Sequence, residues 1–222
     1  MPGKFITFEG GEGTGKSTQA AALAKELEAL GISVVQTREP GGSPGAEIIR
    51  HVLLSGAAKP FGPEAEAMLF AAARDDHIKC TIQPALAEDK WVICDRFADS
   101  TRVYQGILGR VDTRFINALE RVSVGGLLPD LTLVLDVPAE MGLMRAAGRR
   151  RGNSPDRFEA EELDFHQKLR AAYQALAKRE PRRCVLIDAR AAKKVVAKRI
   201  WHTVCKKFDL QPPVVALEQA AP

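Results

Sequence analysis

The chain has 222 residues, 45% hydrophobic and 27% charged, which is the make-up of one globular domain with a sizeable core. Its 32 basic and 28 acidic residues leave a net charge of +4, too nearly balanced for a nucleic-acid coat. No run reaches the roughly 18 apolar residues of a membrane helix.

Met1 leads through Lys4 straight into Phe5 without the pattern of a secretory leader, so a cytoplasmic protein with no membrane or nucleic-acid partner is expected. Cys80, Cys94, Cys184 and Cys205 form no CxxC pair and read as reduced core residues.

In chain order, short apolar runs predict buried strands at 5–9, 34–38, 91–95, 131–137 and 184–188. Helical periodicity fills the intervals. The first helix, 17–30, keeps Ala21, Leu23, Leu27 and Leu30 near one face and stops at Gly31. Further helices are expected at about 45–54, 63–80, 112–124, 138–148, 160–179 and 192–208. Strands alternating with helices imply a parallel sheet covered on both faces. The basic, turn-rich segment from Arg149 to Arg157 interrupts this pattern and reads as a mobile surface loop. Residues 211–222, rich in Pro and Ala, read as a frayed tail beyond a single domain of residues 1–210, whose lid spans about 148–158.

Gly10, Gly11, Glu12, Gly13, Thr14, Gly15, Lys16 and Ser17 match GxxxxGK[ST] between a predicted strand and a predicted helix, with Thr18 following. Glycines let the backbone wrap the phosphates of ATP with its N–H groups pointing inward, at a helix N-terminus whose dipole favours negative charge. Lys16 adds a mobile positive charge, and Ser17 a hydroxyl ligand for Mg²⁺. The fold class is therefore α/β, a P-loop NTPase-type three-layer α/β/α arrangement with a five-stranded parallel sheet. A P-loop alone serves kinases, switches and motors alike. Neither NKxD nor DxxG, the strings of guanine-specific switches, occurs in the chain.

Asp95 and Arg96 end the third strand at the carboxyl edge of the sheet, where α/β proteins bind ligands. Asp95 can hold Mg²⁺ through water, and Arg96 can grip a phosphate with two parallel hydrogen bonds.

The run from Asp95 to Gly106, DRFADSTRVYQG, resembles the thymidylate kinase signature DRYxxSxxAYQG, departing at Phe97 and Val103. Thr37 to Gly42 with Gly45, Glu47 and Arg50 resembles that family's TREPGG...GExIR segment. Met68 to His77 resembles LLFAADRxxH with Ala73 for the usual Asp, and Pro129 to Pro138 resembles PDLTLxLDVP. In order, these motifs span about residues 4–205.

The resemblance implies transfer of the γ-phosphoryl group of ATP to dTMP, with Mg²⁺, by an enzyme of dTTP biosynthesis that is usually a homodimer. It implies that Phe70 stacks on thymine and that Arg74 donates to a thymine carbonyl. Ser100 and Thr101 would line the base edge, with Tyr104 and Gln105 by the sugar. Arg38 and Arg96 would hold the acceptor phosphate, and Glu9 would face the sugar 3′-hydroxyl and the metal. The P-loop variable positions carry no Arg, which matches the subgroup, common in bacteria, that supplies its catalytic Arg from the lid. Arg149, Arg150, Arg151 and Arg157 are the candidates there, Arg149 and Arg157 foremost.

A nucleoside monophosphate presents an anionic oxygen at neutral pH, because its second phosphate pKa is about 6. No general base is required, in keeping with the lack of a recognisable catalytic His.

Overall fold

A computed structural model describes residues 2–149 and 158–211. Five parallel strands, β1 (Phe5–Glu9), β2 (Val34–Arg38), β3 (Trp91–Asp95), β4 (Leu131–Asp136) and β5 (Cys184–Asp188), form one sheet in the order β2-β3-β1-β4-β5. All five fall where the apolar runs predict them. β1 is central, with Phe8 level with Asp95 of β3 and Glu9 level with Val134 of β4. It is buried along its whole length, which explains its near-continuous apolar sequence.

The two-residue repeat of a strand decides where the polar ends point. Ile6 and Phe8 of β1, Ile93 of β3 and Leu133 and Leu135 of β4 face one core layer. They pack there against α1 (Lys16–Ala29) and α9 (Lys193–Phe208). Phe5, Val92 and Cys94 face the other side, against Ile78, Phe97 and Val124. Continuing the alternation sends Asp95 to the α1 side and Glu9 to the opposite side. Burying a Leu such as Leu27, fully enclosed in the first layer, contributes about 2 kcal/mol.

Four of the other helices carry or frame the site: α2 (Pro44–Leu54), α3 (Gly62–His77), α7 (Ala139–Arg149) and α8 (Leu163–Arg179). The helix expected over 63–80 is α3 continued by a π-helical turn at Ile78–Ile82 and the short α4 (Gln83–Ala87). After β3 the chain forms α5 (Ala98–Thr101) and a second π-helical stretch, Arg102–Leu108. Neither was expected, because the wider π turn does not follow the 3.6-residue repeat. α6 (Thr113–Val124) starts on Asp112, whose carboxylate caps the backbone N–H of Arg114 at 2.6 Å.

Cys94 and Cys184 are buried as expected, whereas Cys80 is exposed and Cys205 is half-buried; all four are free thiols. No helix among the described residues is long and apolar enough to cross a membrane.

Candidate active site

Between β1 and α1, residues 10–15 form a loop whose tightness comes from backbone packing. Gly13 has φ +66°, and a Cβ there would lie 1.9 Å from the carbonyl oxygen of Gly142 in α7. Only glycine satisfies both the left-handed conformation and that contact. Gly142 in turn approaches Glu12, so the loop and α7 are locked glycine to glycine. Gly15 caps α1, and Lys16 starts it.

Lys16 folds back over the loop. Its Nζ donates to the carbonyl oxygens of Gly10 at 3.1 Å and Gly11 at 2.8 Å. Burial, together with the neighbouring Arg96, lowers the pKa of its ammonium, while Glu12, Asp95 and Glu9 pull it back up. The Ser17 hydroxyl donates to Asp95, as the strand alternation requires. Thr14 donates to the Gly11 carbonyl at 3.0 Å; Ser17 and Thr18 are both exposed, and of the two Ser17 lines the cavity whereas Thr18 does not.

Arg96 follows Asp95 with φ +71°, a left-handed conformation unusual outside glycine and often found at functional sites. Its guanidinium reaches Glu12 at 2.5 Å, the Gly10 carbonyl at 3.2 Å and the Tyr173 hydroxyl at 3.3 Å, and lies 5.2 Å from the centre of the Tyr104 ring. Burial alone would raise the Glu12 carboxyl. Arg96, Lys16 and the hydrogen bond from Tyr104 outweigh it and bring Glu12 down to about 2.

Glu9 has the opposite fate. It is fully buried; Oε1 accepts the Phe97 N–H at 2.8 Å, and Oε2 accepts the hydroxyls of Ser100 at 2.7 Å and Tyr173 at 2.9 Å. Burial, with Asp99 nearby, pushes its carboxyl up to about 7, against the pull of Arg96, Ser100 and Phe97. It therefore sits beneath the cavity instead of on its wall, held there by three donors.

The cavity itself has a volume of about 280 Å³ and opens from the P-loop toward α2 and α3. It brings together Glu12, Lys16, Ser17, Arg38, Phe70, Asp95, Arg96, Ser100, Thr101, Tyr104 and Gln105, which sequence reasoning assigned to phosphate, base, sugar and metal. Arg38 is half-exposed and paired to Glu47 at 2.9 Å.

Arg74 does not line the cavity. It lies behind it, 3% exposed, with Nε on Glu39 at 2.8 Å and Nη2 on Thr101 at 3.1 Å. The other Glu39 oxygen meets His77 at 3.2 Å, and His77 meets Thr37 at 2.6 Å. A side chain on Gly42 would lie 2.3 Å from Thr37 and 2.5 Å from His77, so that glycine lets the turn close over the network. The TREPGG run is thus tied through Arg74 to the base end of the cavity.

Three contributors escaped sequence reasoning: the pairing of Glu12 with Arg96, the Tyr173 hydroxyl, and Phe158. Tyr173 reads as a core aromatic among Leu169, Ala172 and Leu176, and only the fold reveals that its hydroxyl meets Glu9 and Ser100. His166, buried in α8, has Nε2 unpartnered among the described residues. Arg149 ends α7, while Arg150, Arg151 and Arg157 lie outside the described residues, as does the tail from 212.

A phosphate-wrapping loop with its lysine, an acid at the next strand end and an arginine-lined cavity beside them define a P-loop kinase with a separate acceptor site. A family model described as thymidylate kinase matches residues 8–200. The chain is 62% identical over 202 residues to a thymidylate kinase of Bradyrhizobium diazoefficiens, covering 91% of this chain and 89% of that one. It is 62% identical over 199 residues to one of Nitrobacter winogradskyi, covering 90% and 86%, and 58% identical over 219 residues to one of Rhodopseudomonas palustris, covering 98% and 95%. The chain belongs to the thymidylate kinase family.

Proposed function

We propose that the protein transfers the γ-phosphoryl group of ATP to the phosphate of dTMP, yielding dTDP and ADP for dTTP biosynthesis. The observation that carries this reading is the single cavity joining Lys16 and Ser17 of the P-loop to Arg96, Phe70 and Tyr104. In it, Lys16 and the loop N–H groups hold the donor phosphates, and Arg38 and Arg96 hold the acceptor phosphate. Phe70 stacks on the base, Thr101 meets its edge and is held from behind by Arg74, and Tyr104 with Gln105 packs by the sugar. Glu9 acts from beneath, positioning Ser100 and balancing the charge of Arg96.

Ser17 and Asp95 offer adjacent hard oxygen atoms at the mouth, which fits Mg²⁺. Among the described residues no cluster of three or more His, Cys, Asp or Glu could hold a metal alone, so its remaining ligands would be phosphate and water. Bound there, Mg²⁺ would neutralise charge on the transferring group. The lid of residues 148–158 supplies the last cation, with Arg149 and Arg157 as the candidates.

Turnover with ATP and Mg²⁺ should be clearly faster with dTMP than with dUMP, dCMP, dGMP, AMP or thymidine. Arg149→Ala or Arg157→Ala, measured separately, should cost on the order of 10³ in kcat for the residue that closes on the phosphates. No dTDP from the wild type would overturn the function; unchanged turnover in both variants would overturn the lid assignment alone.

The working unit we propose is a cytoplasmic homodimer. Ile48 and Val52 lie one turn apart on α2, 71% and 37% exposed, and Met68 of the neighbouring α3 is 49% exposed. Sedimentation should read about twice the 24.2 kDa chain mass, and Ile48→Glu with Val52→Glu should halve it. A wild-type monomer would reject this assembly.

A further inference from the structure

Ser100 and Thr101, both on the wall of the main cavity, ride on α5, a helix of only four residues. A single helical turn does not hold itself together in water, because nucleation costs more than one turn returns. Its place is therefore set by what its side chains grip. Ser100 meets Glu9, Tyr173 and Arg96, and Thr101 accepts from Arg74 at 3.1 Å. Asp99, 2% exposed, turns instead toward the edge strand of the sheet.

There Arg183, the residue before β5, takes both Asp99 carboxylate oxygens in its fork, at 2.6 Å and 3.0 Å. The guanidinium is itself held to the frame of the sheet. Thr132 of β4 accepts from it at 2.7 Å, and Glu180 accepts from it at 2.6 Å and 3.1 Å. Arg102 also reaches Asp99, but through one nitrogen at 3.3 Å, and its shorter bonds go to Glu120 and Glu180. A planar fork on two oxygens fixes direction as well as distance, so Arg183 is the partner that orients Asp99. The charge it cancels is one that the site feels, since after burial Asp99 is the largest influence raising the Glu9 carboxyl.

Resting on the reading of this cavity as the dTMP site, we infer that Arg183 is a positioning residue for the acceptor nucleotide. By gripping Asp99 it orients α5 from the far edge of the sheet, and so sets where Ser100 and Thr101 meet dTMP. It works through Asp99 and not on the substrate itself.

Arg183→Gln should raise KM for dTMP about 10-fold, the kind of loss that a small misplacement of binding groups produces, with KM for ATP within about two-fold of wild type. Asp99→Asn, nearly isosteric, breaks the fork from the other side and should give the same split. Arg183→Lys keeps the charge without the fork and should fall between wild type and Arg183→Gln. Because Arg183 acts through Asp99, the two losses should not multiply: the double variant should stay within about three-fold of Asp99→Asn.

An ion pair with a structural role alone would lower the melting temperature and leave the dTMP KM of the folded protein unchanged. That result in both single variants, or losses that multiply in the double variant, would overturn the inference. Should Arg183→Gln fail to fold, Asp99→Asn and Arg183→Lys decide it by the same comparison of the dTMP and ATP KM values. A wild-type protein that neither binds nor phosphorylates dTMP would reject the site itself, and this role with it.

Discussion

Arg96→Ala should lower kcat/KM for dTMP by about 10³, equivalent to about 4 kcal/mol of lost transition-state stabilisation. The Arg96 guanidinium joins the P-loop carbonyl of Gly10 to the acceptor-side hydroxyl of Ser100, at 3.2 Å and 3.4 Å. A phosphate arriving in the cavity competes with Glu12 for its fork, and exchanging one anion for another costs the buried guanidinium little. Arg96→Lys keeps the charge and loses the planar fork, so it should recover only part of the loss, leaving a deficit of about 10².

The same substitution tests a structural role. Removing Arg96 takes from Glu12 its ion-pair partner and from Glu9 a neighbouring positive charge, leaving Lys16 to balance both. Losing one partner of a fully buried ion pair costs about 3–5 kcal/mol, and the 16% and 15% exposure of Arg96 and Glu12 should hold the loss below that. Thermal unfolding separates the two effects. If Arg96→Ala melts lower but turns over dTMP normally, Arg96 is a strut for the P-loop and the acceptor phosphate is held elsewhere.

The strands and the P-loop were legible in the sequence because their signals are local. Five apolar runs and one glycine-rich string each carry their own period or spacing. The site was half legible for the same reason: Arg96, Phe70 and Tyr104 sit in contiguous motifs. What stayed hidden is carried by contacts between distant positions. Arg96 and Glu12 are 84 residues apart, and Tyr173 lies 164 residues from the Glu9 carboxylate it donates to. Phe158 directly follows a polar stretch that reads as solvated loop, so its ring gave no core signal. The direction of Glu9 was available from strand alternation, since Phe5 and Thr7 share its face. The burial that follows came only with α5 and α8.

That burial has a consequence for pH. The Glu9 carboxyl ionises at about 7 in the folded protein against a reference of 4.5, so between those values the folded state binds more protons than the unfolded one. Stability contributed by Glu9 is therefore fully present below about pH 4.5 and lost as pH rises through about 7. The total, about 3 kcal/mol, follows from roughly 1.4 kcal/mol per pH unit. Glu12, held at about 2, acts in the other direction and only on the acid side of 4.5, so the two do not overlap. Glu9→Gln keeps an acceptor for the Phe97 N–H and cannot ionise. Its stability should match wild type near pH 5 and exceed it by about 3 kcal/mol near pH 8, as read by denaturant unfolding at both values. Activity should move the other way. At pH 8 the carboxylate balances Arg96 and holds the Ser100 and Tyr173 hydroxyls, so the variant should lose about ten-fold or more in kcat/KM for dTMP while gaining stability. A wild-type and a Glu9→Gln protein with parallel stability curves from pH 5 to 8 would mean that Glu9 ionises near its ordinary value and that its burial is relieved on the folded protein's own timescale.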